Sequence, residues 1–388
     1  MIKRDVSENL LITSLLVCIA QAYLEFLGII SKNFVNPTNI LELTFILLCA
    51  RNIGPTDLKR ALLAFALGVL GTSFILLSNL NAVPYFESIR AYKWLLFLIL
   101  MLAIKNQIRF RNTTIKKIYL ILLISLFIAY FVQVNTKGLN SRPSLIIENN
   151  YECALLIGFY VANLYISNFD LTRKYLVPNL ILVVTILMSQ SRSALIALFL
   201  ILSLSYTRKN PILKNPMSSI MLFITGLFLI FYTFTNRGTS FGSLDRFKFL
   251  NLFLKNFGNR PTIEKLFGNW IIEPLNAETC VQLRFYSSLQ NNESLGSCYS
   301  VVLHAFVIRA IYDFGIVGAL LIFYTFSKIL LSNLERNSAI CFIFIAITNS
   351  LSVSGVNNVY VVLPMLISLL SNNIKSKKKS FNHFSKGD

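Results

Sequence analysis

The sequence predicts an all-α, polytopic integral membrane protein of about twelve transmembrane helices with one large extracytoplasmic loop. Three observations carry this. Of 388 residues, 55% are hydrophobic and only 14% charged, whereas a soluble domain carries about a quarter charged residues. The mean hydropathy is +0.64. The apolar residues also come in blocks approaching the ~20 residues that a helix needs to cross a hydrocarbon core of about 30 Å. Together these exclude an ordinary cytosolic enzyme, a disordered chain and a small disulfide scaffold.

The blocks run in order along the chain. The first, 10–30, has a positively charged start like a signal peptide. It is too long for one, and no small-x-small cleavage site follows, so it reads as an uncleaved first span. The second, 34–50, holds Glu42, which with Glu25 in the first reads as an interhelical hydrogen-bond partner. Runs 61–80, 91–105, 118–134 and 150–167 follow. Runs 175–190 and 193–207 are separated only by Gln190, Ser191 and Arg192. Run 216–235 is the ninth. After it the pattern breaks: residues 236–301 are rich in Asn, Gly, Ser and charge. Connections that long are functional or disordered. The apolar clusters Phe247–Phe257 and Leu266–Ile272 favour a folded cap of short helices. Runs 302–326, 338–355 and 357–373 complete the set. The organisation is therefore 1–235 for spans one to nine, 236–301 for the loop, 302–373 for spans ten to twelve, and a basic tail over 374–388.

The chain carries 36 Lys and Arg against 17 Asp and Glu. Their position explains the excess. Both termini and the loops on their side hold 22 of the 36 basic residues. The short loops of the other side hold six: Lys32, Arg90, Lys93, Lys137, Arg142 and Arg192. Basic residues accumulate in cytoplasmic loops, so both termini of this multi-pass chain are expected in the cytoplasm. The charge is a topology signal, not a nucleic-acid footprint. The lysine-rich stretch 375–379 reads as a cytoplasmic retention tail, or as a contact for anionic lipid heads.

Cys18, Cys49, Cys153 and Cys341 fall in the spans, where thiols act as small packing residues. Cys280 and Cys298 share the large outer loop, and an oxidising compartment favours a disulfide between them. There is no Cys/His metal spacing, and no metal or cofactor is expected.

Ionisable residues in or against a membrane are functional candidates by default, and here they crowd the outer side. They are Arg142, then Glu148, Asn149, Asn150 and Glu152 at the start of the sixth run, Arg192, His304, Arg309 and Asp313. Plainer readings stand beside this. Arg309 and Asp313 are four apart and share a helix face, where they could neutralise each other. Glu148 and Glu152 sit at a helix N-terminus, which favours carboxylates. Arg142 and Arg192 could anchor at the interface, and His304 could be a boundary residue. Taken together, the arginines suit a pyrophosphate, because guanidinium donors match phosphate oxygens two at a time. A nearby histidine or carboxylate can accept a proton from a sugar hydroxyl.

The stretch His304–Gly318, HAFVIRAIYDFGIVG, resembles the signature of the O-antigen polymerase/ligase family of integral-membrane glycosyltransferases. His304, Phe306, Asp313, Gly315 and Gly318 match in order and spacing. Ser191-Arg192-Ser193-Ala194-Leu195 resembles the family's Ser-Arg segment. Arg142-Pro143 with Glu148-Asn149-Asn150-Tyr151-Glu152 resembles its Arg…Asn-x-Asn loop. Ala305 stands where the family has Asn, and the family glycine after Arg142 is missing. The resemblance implies metal-independent, inverting transfer from a glycan on undecaprenyl pyrophosphate. It implies Arg142, Arg192, Arg284 and Arg309 on the pyrophosphate, with His304, Glu148 or Glu152 activating the acceptor. Asn149 and Asn150 would orient substrate. The divergences fit a polymerase of lipid-linked repeat units into O-antigen or capsule. A ligase moving polymer onto lipid A-core and a lipid-linked glycan flippase or transporter are the alternatives. The implied partners are the lipid-linked donor and acceptor, a chain-length regulator and a flippase.

Overall fold

The computed structural model describes residues 2–31, 35–54, 58–81, 83–104, 110–138, 142–166, 176–209, 245–283 and 298–371, with the side chains of 2–4, 206–209 and 245–247 excepted. The first eight helices are α1 (Ile2–Phe26), α2 (Pro37–Asn52), α3 (Leu58–Leu80), α4 (Tyr85–Ala103), α5 (Asn112–Lys137), α6 (Asn149–Ile166), α7 (Leu176–Ser189) and α8 (Arg192–Lys209). Three shorter helices form the cap: α9 (Asp245–Gly258), α10 (Thr262–Phe267) and α11 (Ala277–Gln282). A 3-10 turn (Ser300–Leu303) leads into α12 (Phe306–Asn333), then α13 (Arg336–Ser350), a second 3-10 turn (Gly355–Asn357) and α14 (Val359–Ser371).

Each apolar run within the described residues is a helix. The ninth run, 216–235, the tail 374–388 and Arg284 lie outside them. Four described helices are long and apolar enough to cross a membrane: Asp5–Phe26, Leu58–Leu80, Asn112–Lys137 and Phe306–Asn333. Of the others, α2, α7, α13 and α14 are shorter than their apolar runs. α2 has 16 residues and α13 has 15, about 24 and 22 Å at 1.5 Å per residue. The run 338–355 included Leu351–Val353, which belong to a turn rather than to a helix.

Two helices form the centre. All of α14 is buried, as is α6 from Asn149 to Asn163. They pack on each other, with α2, α5, α8 and α13 around them. Their closest approach uses Gly158, where a Cβ would stand 2.7 Å from the Pro364 ring. By contrast, α3 exposes Leu62, Phe65, Val69, Leu76, Leu77 and Leu80. An apolar surface on that scale is not left to water, and lipid is the solvent it fits.

Polar groups join the helices at intervals. The Lys93 ammonium on α4 meets Glu42 on α2 at 2.7 Å, as expected for an interhelical partner. Glu25 instead accepts from Gln21 of its own helix, at 2.8 Å. Glu8 of α1 accepts from the Arg111 backbone N–H and the Thr114 hydroxyl, capping the start of α5 from a neighbouring helix. Asn357 accepts from the Trp94 N–H and donates to the Arg90 carbonyl, both at 2.7 Å. A regular helix would join those two groups directly, so this carboxamide bridges a rung of α4.

Candidate functional site

One end of the bundle, here the upper end, gathers the starts of α4, α6, α8, α12 and α14. Cross-links between separate connections establish this. Asn149 donates to the Ser189 carbonyl at 2.7 Å. The Tyr151 and Ser354 hydroxyls lie 3.1 Å apart. The Phe306 N–H donates to the Val353 carbonyl at 3.0 Å. Helix starts carry unsatisfied N–H groups and a partial positive charge, and the ends of α3, α5, α7 and α13 meet them at this end.

The 142–152 loop is held rigidly. Pro143 biases Arg142 toward an extended backbone. Gln133 of α5 pairs with Ser144 twice, donating to its carbonyl at 2.6 Å and accepting from its N–H at 3.1 Å. The Glu152 carboxylate accepts from the N–H groups of Leu145, Ile146 and Ile147 and from the Tyr130 hydroxyl. Three successive amides around one carboxylate form a compact anion nest. With these four donors and full burial, Glu152 holds the 142–152 loop in place.

Ser191 is the N-cap of α8. Its Oγ accepts from the Ala194 N–H at 3.4 Å and donates to Asn150 at 2.7 Å. Asn150 in turn donates to Glu148 at 2.8 Å. This Glu148–Asn150–Ser191 chain lies beside Arg192, which is buried at the first position of α8. Arg142, exposed on its loop, is near enough for its charge to act on Arg192. The two guanidinium groups thus lie within electrostatic reach of each other, although their connections are fifty residues apart in the chain.

Arg309, 3% exposed, reaches the field of Tyr151, Glu87 and Asp313. Its Nε and Nη2 have no hydrogen-bond partner. Its guanidinium lies 5.2 Å from the Phe306 ring centre. Asp313 accepts from the Ser300 hydroxyl at 2.8 Å through Oδ2, and its Oδ1 is unpaired. The i, i+4 spacing would allow a direct ion pair, but none joins the two among the described residues. Both retain hydrogen-bonding capacity.

A break in α12 fixes them there. Gly315 has φ 71° and ψ 175° inside the helix, a conformation open essentially only to glycine. The carbonyls freed by the break are taken by the cap. Arg260 donates to the Tyr312 carbonyl at 2.7 Å, lies 3.8 Å over the Tyr312 ring, and pairs with Glu273 at 3.0 Å. The Trp270 N–H donates to the Asp313 carbonyl at 3.0 Å. Gly268, with φ +66°, lies against this backbone so closely that a Cβ there would be 2.5 Å from the Gly315 nitrogen. The sequence motif Asp313-x-Gly315 thus marks a kink whose partners lie far away in the chain.

His304 stands at the junction of the 3-10 turn and α12 with φ 48°, and its ring lies 5.7 Å from that of Phe249 in the cap. Around it is a second small core of Phe249, Leu252, Phe253, Leu283, Val302 and Leu303. Cys280 and Cys298 are joined by a disulfide within that core.

Tyr151, Ser300, Ser354, Arg260 and Trp270 were not singled out from sequence. Tyr151 lay inside the quoted Glu148–Glu152 motif, which was the one local signal for it. No group of three His, Cys, Asp or Glu side chains among the described residues is placed to hold a metal ion. Comparison of the sequence with protein-family models and curated proteins, and of the structure with solved structures, gives no match.

Proposed function

We propose that the chain is a membrane glycosyltransferase of the O-antigen polymerase type. In this reading it joins repeat units carried on undecaprenyl pyrophosphate into a surface polysaccharide, at the upper end, on the outer side of a bacterial inner membrane. The observation that carries the reading is the convergence of Arg142 and Arg192, with buried Arg309 at the same end. The placement of basic residues supports cytoplasmic termini and an outward upper end.

In the proposed step, an acceptor sugar hydroxyl attacks the anomeric carbon of the donor glycan. The new C–O bond forms as the bond to the pyrophosphate oxygen breaks, with inversion. The electron pair leaves on the pyrophosphate, which Arg142 and Arg192 hold through charge-assisted hydrogen bonds. The hydroxyl proton passes to Glu148, whose partner Asn150 belongs to the Ser191 network beside Arg192. Glu152 and Gln133 act indirectly by ordering the Arg142 loop. No metal takes part in the proposed step.

The test is a gel profile of surface glycan from a strain lacking the gene, complemented with wild type, Arg192→Ala or Glu148→Gln. Lipid A-core bearing a single repeat unit in the deletion strain, with no ladder restored by Arg192→Ala, is the expected result. Bare core with polymer stranded on the carrier lipid would identify a ligase instead. An unchanged ladder in the deletion strain would refute both.

A further inference from the structure

We propose that α10 is a re-entrant membrane segment whose apolar face lies among the acyl chains of the upper leaflet, although it belongs to the large polar loop. This rests on the chain crossing a membrane and not on the proposed chemistry.

The carrying observation is an inverted helix. Ile263, Leu266 and Phe267 fall at i, i+3 and i+4, the spacing of one helical face. They are 74%, 41% and 54% exposed. Glu264 and Lys265, between them, are of intermediate exposure, less exposed than the three apolar side chains. The Lys265 ammonium donates to the Gly258 carbonyl at 2.7 Å. A helix resting on a protein in water presents the opposite arrangement. An apolar face that is the most exposed part of its helix is the arrangement that lipid favours.

Depth gives an independent argument, because three helices locate the segment that follows α10. Trp270 stacks on Phe74 at 5.4 Å. Phe74 is six residues before the end of α3 at Leu80, about 9 Å below it at 1.5 Å per residue. The Tyr92 hydroxyl donates to the Trp270 carbonyl. Tyr92 is seven residues into α4, about 10 Å down. Gly268 touches Gly315, nine residues into α12, about 14 Å down. At and above these levels α3 exposes Leu76, Leu77 and Leu80, and just below the break α12 exposes Ile316 and Leu320. The outward face of α10 therefore continues the apolar surface of two helices long and apolar enough to cross a membrane. Non-helical backbone at such depth is tolerated only when protein satisfies it. Arg260 and Trp270 do so at the break.

The test places a nitroxide at Ile263→Cys and, separately, at Phe267→Cys in the full chain, reconstituted in lipid bilayers. Both positions are exposed, and the four free cysteines of the native chain are buried. Relaxation by oxygen, which partitions into lipid, is compared with relaxation by an aqueous nickel chelate. Leu320→Cys on α12 is the lipid reference and Lys255→Cys on α9 the aqueous one. Oxygen dominating at 263 and 267 as it does at 320, several-fold above the Lys255 ratio, is the expected result. Nickel access equal to that at Lys255, or exclusion of both reagents, would overturn the proposal. Neither readout depends on catalysis.

Discussion

Replacing Glu152 by alanine or glutamine separates a loop clasp from a reacting acid. In the structure Glu152 Oε1 accepts from the N–H of Leu145 at 2.9 Å and of Ile147 at 2.8 Å, and also from Ile146. Oε2 accepts from the Tyr130 hydroxyl at 2.7 Å. Alanine removes every acceptor at once. The N–H groups of Leu145 and Ile146 and the Tyr130 hydroxyl are buried, and each costs about 1–3 kcal/mol when orphaned. The loss is therefore about 3 kcal/mol at the least. At about 2–4 °C per kcal/mol, the apparent melting temperature should fall by roughly 6–12 °C or more. Glutamine keeps one carbonyl oxygen, which can stay in the nest of three amides. The Tyr130 hydroxyl then rotates to accept from the new amide. Glu152→Gln should thus keep most of the stability and most of the polymer ladder, while Glu152→Ala loses both. Melting in detergent and ladder length in complemented cells measure the two effects. A Glu152→Gln variant that melts like wild type but makes no polymer would refute the clasp and restore Glu152 as a reacting group.

Gly315→Ala forces a side chain into a backbone region costing about 1–3 kcal/mol, and its Cβ would also stand 2.4 Å from the Gly268 nitrogen. Melting should drop clearly, and Gly268→Ala should not add its full effect, because both act on one contact. A full sum of the two effects would argue against that shared contact. Replacing both Cys280 and Cys298 with serine removes a cross-link spanning 18 residues, worth about 3 kcal/mol in the chain-entropy model. Faster proteolysis between residues 245 and 283 is the expected outcome, and unchanged digestion would refute the staple.

Much of the fold was legible because lipid-facing helices advertise themselves by composition. α3 needs no partner to be recognised: nearly every side chain is apolar and most face outward. α13 is shorter than its run because apolar turn residues such as Leu351 and Val353 are indistinguishable from helix in hydropathy. Arg142 and Arg192 were legible as charges flanking apolar runs. Their approach to each other was not, since it depends on Gln133 and Glu152 fixing the loop. The partners of Glu152 were not legible either, because they are backbone amides that no residue identity reveals. The break at Gly315 was present as a motif glycine. The groups that satisfy it, Arg260 and Trp270, lie over forty residues away in sequence and come together only in the folded chain.

The innermost helix is also the last of the described helices to be made. α14 is buried along its whole length, yet every helix that encloses it precedes it in the chain. Those helices must leave an open slot as they leave the ribosome and enter the bilayer. The segment just before α14 supplies Val353 to the start of α12, Ser354 to Tyr151 and Asn357 to α4. A nascent chain halted before residue 353 therefore lacks the ties that draw its upper end together. The order of synthesis leaves the upper end untied until α14, the last of the described helices, is made.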